Sequence, residues 1–297
     1  MMKPSIWVAG ARPRTLPAAA APVLAGVAAG LGSGLTAQPW RLLLIPSLCA
    51  IVGLALQVGV NYANDYSDGI RGTDDVRVGP ARLTASGLAR PEAVRNAAFI
   101  SFAVAAVTGL LIVAISGTWW LLGVGAAAIL AAWYYTGGRR PYGYLGLGEL
   151  MVFIFFGLVA TVGTAFVTFD AVPPATWAAA TGVGALASAL LVVNNLRDLA
   201  ADAKVGKRTL ATRIGDRGTR WFFVALLATG FISTLAFAAL TTPWALLGLL
   251  GFILVLAPVA RLLAGAVGRD LIEMLQATSL TELALAFGLL IGVAVGS

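Results

Sequence analysis

Two stretches of this chain carry residues whose types and spacing suit one chemistry. The first is Asn61-Tyr-Ala-Asn-Asp65-Tyr-Ser-Asp68-Gly-Ile-Arg71-Gly-Thr-Asp74-Asp75. The second is Asn194-Asn-Leu-Arg197-Asp198-Leu-Ala-Ala-Asp202-Ala-Lys-Val-Gly-Lys207-Arg208-Thr. In each, an Asn precedes an Asp by four residues. On a helix that spacing gathers Gln57, Asn61, Asp65 and Asp68 on one face, and Asn194, Asp198 and Asp202 on another. Carboxylate and amide oxygens are hard ligands, suited to Mg²⁺ that keeps part of its shell for a phosphate substrate. Asn61, Asp65, Asp68, Asp198 and Asp202 are therefore candidate metal ligands, and the four aspartates candidate catalytic residues. A solvated helix cap is the plainer reading, but a cap needs one acid and no Asn four residues behind it.

The bases nearby complete the pattern. About two Mg²⁺ would neutralise four aspartates, and a diphosphate then adds roughly three negative charges that call for Lys or Arg. Arg71, Arg77 and Arg82 follow the first motif; Lys204, Lys207 and Arg208 follow the second. These six are candidate diphosphate ligands. The chain has neither a Walker loop nor a GxGxxG turn, so no nucleotide cofactor is expected.

The elements that position these motifs must be membrane helices. Of 297 residues 59% are hydrophobic and only 11% charged, against about 25% charged in soluble domains; the mean hydropathy is +0.90. Histidine is absent and Cys49 is the one cysteine, which excludes His-based catalysis, zinc sites and a disulfide framework. The net charge of +7 reads as a basic cytosolic face of a membrane protein, with no nucleic-acid partner.

Apolar runs of about spanning length fall near Leu16–Leu35, Arg41–Ala63, Ala93–Ile115, Thr118–Tyr135, Leu145–Thr168, Thr176–Leu196, Thr219–Leu240, Pro243–Leu263 and Leu271–Val295. The expected fold is all-α: a single polytopic bundle of about nine transmembrane helices over residues 1–297, with two Asp-rich cytosolic helix ends. With nine spans, all but Arg41 of the 20 Lys and Arg lie on one side. The positive-inside rule makes that side cytosolic, in a cell membrane, with the amino end inside and the carboxyl end outside. Two cytosolic loops, about 64–92 and 197–218, are long and polar, the form functional loops take. Gly26, Gly30 and Gly34, and Gly288 and Gly292, make GxxxG steps that predict close helix packing. Glu282 lies inside the last run, where it reads either as a buried packing partner or as a functional acid.

Asn-Asp-Tyr-x-Asp paired with Asn-Asn-x-Arg-Asp-x-x-x-Asp-x-x-x-Gly-Lys-x-Thr-Leu resembles the UbiA superfamily of intramembrane prenyltransferases over nearly the whole chain. Arg12-Pro-Arg-Thr15-Leu-Pro, Arg82-Leu-Thr-Ala-Ser-Gly and Gly146-Leu-Gly-Glu149 running to Phe155-Phe-Gly157 are most similar to its naphthoate branch. One position departs: a common form of the first motif has an acid four residues after Asp68, where this chain has Gly72, with Asp74 and Asp75 beyond.

The resemblance implies Mg²⁺-diphosphate at the Asp-rich ends and a polyprenyl tail among the helices. It implies transfer from polyprenyl diphosphate to 1,4-dihydroxy-2-naphthoate, through an allylic carbocation and with loss of a proton and the carboxyl group, giving demethylmenaquinone. Arg12 or Arg14 would meet the acceptor's carboxylate, and Thr15, Gln57 and Asn61 its hydroxyls. Tyr62, Tyr66, Tyr134 and Tyr135 read equally as cation-shielding walls or as interfacial belt residues. Arg139, Arg140 and Glu149 read as a rim, the arginines equally as a topology signal. Two alternatives stand: a sister enzyme using 4-hydroxybenzoate or another acceptor, and an ion-coupled transporter, which also carries intramembrane acids.

Overall fold

The computed structural model describes residues 4–72, 82–268 and 270–296, and among these every regular element is helical. Helix α1 is Pro4–Ala11, followed by a 3-10 turn at Pro13–Thr15 and by α2, Pro17–Gly32. Then come α3 (Pro39–Arg71), α4 (Pro91–Ser116) and α5 (Leu121–Tyr134). A 3-10 turn at Tyr142–Leu145 leads into α6, Gly148–Phe169, and α7 is Pro174–Lys204. The chain closes with α8 (Leu210–Leu240), α9 (Pro243–Leu263) and α10 (Asp270–Gly296). Proline opens α2, α3, α4, α7 and α9, at the position where its fixed φ suits a helix and its missing N–H goes unneeded.

Each of the nine expected runs falls on a helix. Among the described residues, seven helices are long and apolar enough to cross a membrane. An eighth span arises if the pair Ile6–Thr15 and Pro17–Gly32, bent by 44°, counts as one. Helix α5 is shorter, at 14 residues. Large apolar side chains such as Leu43, Ile100, Val107 and Leu256 point outward, as they do in a protein solvated by hydrocarbon.

Two expectations need correction. Residues 64–71 and 197–204 are helix, not loop. Helices α3 and α7, at 33 and 31 residues, run about 50 and 46 Å at 1.5 Å per residue, well past a hydrocarbon core of about 30 Å. The acidic motifs therefore ride on rigid helix extensions. Gly26 and Gly30 pack as expected: a Cβ added at Gly26 would sit 2.6 Å from the Thr161 carbonyl oxygen on α6. Gly34 instead lies beyond α2 at φ +76°, with nothing within 4 Å; it serves a turn. Gly288 and Gly292 close on Gly248 and Trp244 of α9.

Helix α7 supplies much of the core through Val183, Leu186, Ala189, Val192 and Val193, packed with Ala25, Phe223 and Leu285 from α2, α8 and α10. Arg41, the one base expected on the outer side, makes paired bonds to Asp170 at 2.5 and 2.7 Å and a third to the Val167 carbonyl. This ties the start of α3 to the end of α6 at the pole opposite the acidic motifs.

Candidate active site

The end of α3 is built around two buried carboxylates. Asp65, 1% exposed, accepts the backbone N–H of Leu83 on one oxygen and of Thr84 on the other, both at 2.8 Å. Bonds of this charge-assisted kind contribute about 1.5–3 kcal/mol each, so Asp65 fastens the segment entering α4 onto α3. Asp68, one turn on, accepts the Tyr144 hydroxyl at 2.8 Å. Asn64 accepts the Thr136 hydroxyl, and Arg71 donates to the Thr136 and Gly138 carbonyls. The α5–α6 connection is thereby drawn over the helix end, which brings Tyr144 to Asp68.

At the end of α7 the partners are cations. Arg197 grips Asp198 with two bonds of 2.8 Å. Beyond the helix, the backbone N–H of Lys207 donates to the Asp202 carbonyl at 2.9 Å. Its ammonium then lies 3.7 Å from Asp202 and 4.0 Å from Asp68, over the Tyr144 ring at 4.8 Å. One ammonium thus joins the two motifs. Among the described residues no three acidic side chains converge closely enough to hold a metal ion alone.

A cavity of about 830 Å³ runs away from these ends. Its polar mouth includes Arg12, Asn61, Asp65, Arg82, Asn194 and Arg197. Along α3 it is lined from Asp65 back to Cys49, about 24 Å of helix, and its far wall is aliphatic, with Leu110, Val113, Ile129 and Val167. In α6 the segment Phe153–Val159 is π-helical, and Phe155, Phe156 and Val159 from it line the cavity. Local widening of this kind recurs at functional sites.

The amino-terminal segment forms one side of the mouth. The Thr15 hydroxyl donates to the Arg12 carbonyl at 2.9 Å and receives Gln57 at 3.1 Å and Asn61 at 3.2 Å. Asn61 also donates to the Ala11 carbonyl. A hydroxyl has one proton and two lone pairs, so Thr15 is saturated by the protein and positions the turn. The turn holds Arg12 at φ +54°, an uncommon conformation for a bulky residue. One guanidinium nitrogen, Nη2, is buried with no hydrogen-bond partner among the described residues. Arg14 is exposed, though it also lines the cavity.

The other predicted residues divide. Arg82 is buried at the mouth and Tyr135 lines the wall; Lys204 and Arg208 are exposed beside Lys207. Tyr62 is not on the cavity wall: its hydroxyl donates to the Trp7 carbonyl and its ring meets Trp7 edge-on, so it anchors α1. Tyr66 stacks on Trp133, and Tyr134 points outward. Arg139 and Arg140 are exposed. Glu149 is buried behind the wall, bonded by Asn195 at 2.8 Å. Arg77, Asp74 and Asp75 lie outside the described residues.

Sequence reasoning gave no site role to Arg197, Asn194, Tyr142 or Tyr144, although it placed Asn194 on the face of Asp198 and Asp202. Asn194 and Arg197 were readable, since they stand three apart on the face that reaches the mouth. Tyr142 and Tyr144 were not, because a loop of Pro, Gly and Tyr gives no sign of which helix it will cross. The Tyr142 hydroxyl donates to the Ala131 carbonyl at 2.9 Å, and burial pushes its pKa up, which keeps this cavity-lining phenol neutral.

The UbiA prenyltransferase family matches residues 19–280. A 1,4-dihydroxy-2-naphthoate octaprenyltransferase from Mycobacterium tuberculosis is 48% identical over 290 residues, covering 95% of this chain and 97% of that protein. The apo structure of a UbiA homolog from Aeropyrum pernix superposes with a TM-score of 0.67 at 16% identity, over 94% of this chain and 97% of the other. A UbiA homolog from Archaeoglobus fulgidus bound to GPP and Mg²⁺ gives 0.57 at 15% identity, over 94% and 98%. The last two show likeness of fold.

Proposed function

This chain belongs to the UbiA prenyltransferase family, and from that membership we propose that it transfers a polyprenyl group from polyprenyl diphosphate to 1,4-dihydroxy-2-naphthoate, in menaquinone biosynthesis. Family membership sets the enzyme reading above the transporter. The observation that carries the proposal is the cavity itself. A mouth with Arg12, Asp65 and Arg197 opens into a cavity that follows α3 for about 24 Å in all and turns apolar beyond the mouth, from Leu56 back to Cys49, the shape of a molecule with a charged head and a long hydrocarbon tail.

The residues fit a divalent cation. Asp68 and Asp202 already share the Lys207 ammonium, so the space between them accepts positive charge, and the donors are hard oxygens. Asp65, Asp68, Asp198 and Asp202, with Asn61, would hold it. Bound Mg²⁺ would offset the charge of the departing diphosphate. Lys207, Arg208, Arg71, Arg77 and Arg82 are assigned to the diphosphate oxygens, with Lys204 at the outer edge. The C–O bond to diphosphate breaks with its electron pair on the leaving group, and Tyr135, Phe155 and Phe156 shield the allylic cation from water.

The buried Nη2 of Arg12 is assigned to the carboxylate of the acceptor. Its ring carbon bearing that carboxylate attacks the cation. CO₂ then leaves and its bonding pair returns to the ring. The step balances without an outside oxidant and gives the quinol of demethylmenaquinone. Purified protein with Mg²⁺, a prenyl diphosphate and a panel of aromatic acids tests this: 1,4-dihydroxy-2-naphthoate is turned over with release of CO₂, and 4-hydroxybenzoate far more slowly. Efficient use of 4-hydroxybenzoate without CO₂ would move the chain to the sister branch.

The mouth is assigned to the cytosol of a multi-pass cell-membrane protein, with the amino end inside and the carboxyl end outside, on the charge asymmetry of its loops. Starting from Cys49→Ser, a cysteine at Ser86 is labelled from the cytosolic side and one at Thr36 from outside. Labelling of both from one side would reverse part of the topology.

A further inference from the structure

The aspartates at the mouth are engaged by the chain's own donors, and two of the donors are side-chain cations. The Lys207 ammonium lies within 4.0 Å of Asp68 and 3.7 Å of Asp202. Arg197 holds both oxygens of Asp198. A divalent ion binding the same oxygens would meet these cations as rivals. The backbone of Lys207 is pinned to Asp202, so any response must come from its four-carbon stem. Room exists: Lys207 also lines a second recess, with Arg208, Thr212 and Arg213, while Arg197 lines the main cavity.

Resting on the proposed function, we propose that Lys207 and Arg197 are exchangeable counter-ions. Lys207 bridges Asp68 and Asp202 across the two helix ends and Arg197 neutralises Asp198 on its own helix. When a metal–diphosphate complex enters, both transfer to the diphosphate oxygens as the metal takes the carboxylates. Metal and prenyl diphosphate therefore bind cooperatively. Metal alone has to displace or approach a trapped cation, and diphosphate alone faces four carboxylates. Together each removes the other's obstacle. By linkage, the factor by which diphosphate tightens metal equals the factor by which metal tightens diphosphate.

The test reads binding. Full-length protein in nanodiscs is titrated with Mn²⁺ as the probe for Mg²⁺, followed by electron paramagnetic resonance, with and without geranyl thiodiphosphate, an unreactive donor analogue. The parent protein binds Mn²⁺ about tenfold or more tightly with the analogue present, a coupling of ordinary size. Lys207→Met binds Mn²⁺ alone about tenfold more tightly than the parent and loses most of the coupling, while its affinity for the analogue falls. Lys207→Gln, which keeps a polar stem, behaves alike and covers a poorly folded Met variant. Mn²⁺ binding alone that is unchanged or weaker in both variants would overturn the exchange, as would independent binding of metal and analogue to the parent. A parent protein that binds neither, alone or together, would overturn the proposed function as well.

Discussion

The ends of α3 and α7 share an Asn-x-x-x-Asp pattern and differ in what holds the acid. Asp65 is held by two backbone N–H groups, from Leu83 and Thr84. Asp198 is held by a neighbouring guanidinium, and Asp202 with Asp68 by an ammonium. Backbone donors cannot leave without unravelling the segment they belong to; side-chain cations can swing away. The first end therefore builds the mouth and the second exchanges charge within it. Asp68 lies on α3 but belongs with the second group, through Tyr144 and Lys207. The division of labour thus cuts across the sequence repeat.

The sharpest way to break that division is to remove the acids one at a time. Asp68→Ala, Asp198→Ala and Asp202→Ala each lower kcat/KM by about a hundredfold or more, the scale of losing one preorganised charge at a reacting centre, and leave amide protection at Leu83 and Thr84 unchanged. Asp65→Ala loses as much activity and also about 3 kcal/mol of stability, from two charge-assisted bonds. Amide exchange at Leu83 and Thr84 accelerates in that variant alone. Equal stability and equal amide protection across all four variants would erase the distinction. EDTA removes turnover and Mg²⁺ restores it.

How far this was readable from sequence follows the same line. Helix positions came from hydropathy, which the membrane enforces by leaving no water for an unpaired backbone. The four aspartates came from helical spacing, and two of them, Asp68 and Asp202, are joined by Lys207 where the ends of α3 and α7 meet. Invisible was everything that depends on one segment folding across another. Thr15, expected to touch the acceptor, is saturated by Gln57, Asn61 and the Arg12 carbonyl. Tyr62 was read by its type, an aromatic near a membrane surface, and the α1 contact that claims it is tertiary. Polarity sets the second long loop to begin at residue 197, yet α7 continues to Lys204; Ala and Leu favour helix in water as in lipid.

A smaller effect separates the two arginines of the amino-terminal turn. Arg12 has a buried nitrogen in want of a partner and Arg14 is exposed. Arg12→Ala raises KM for the naphthoate by about tenfold, the scale of one hydrogen bond between charged groups, and leaves KM for prenyl diphosphate nearly unchanged. Arg14→Ala changes either by less than about twofold, as exposed charges do. A larger effect from Arg14, or an Arg12 effect confined to prenyl diphosphate, would place the acceptor's carboxylate elsewhere.

The smallest effect is expected from the acid that resembles none of these. Glu282 is 0% exposed and, among the described residues, neither carboxylate oxygen has a hydrogen-bond partner. It lies on α10, and the stripe Ile272, Leu275, Ser279 and Glu282 follows one helical face. Ile272 and Leu275 line the cavity, whereas Ser279 and Glu282 are buried beyond it. The mouth aspartates gain from donors and cations; Glu282 has no hydrogen-bond partner among the described residues, so its polar atoms cost stability. Glu282→Met keeps the volume and removes both oxygens. Stability is unchanged or rises, by up to a few kcal/mol as when buried ionic groups are replaced by apolar ones, and kcat stays within about twofold. Retained folding with kcat lowered tenfold or more would give the carboxyl a part in the reaction, and the contrast between working and idle acids would have to be redrawn.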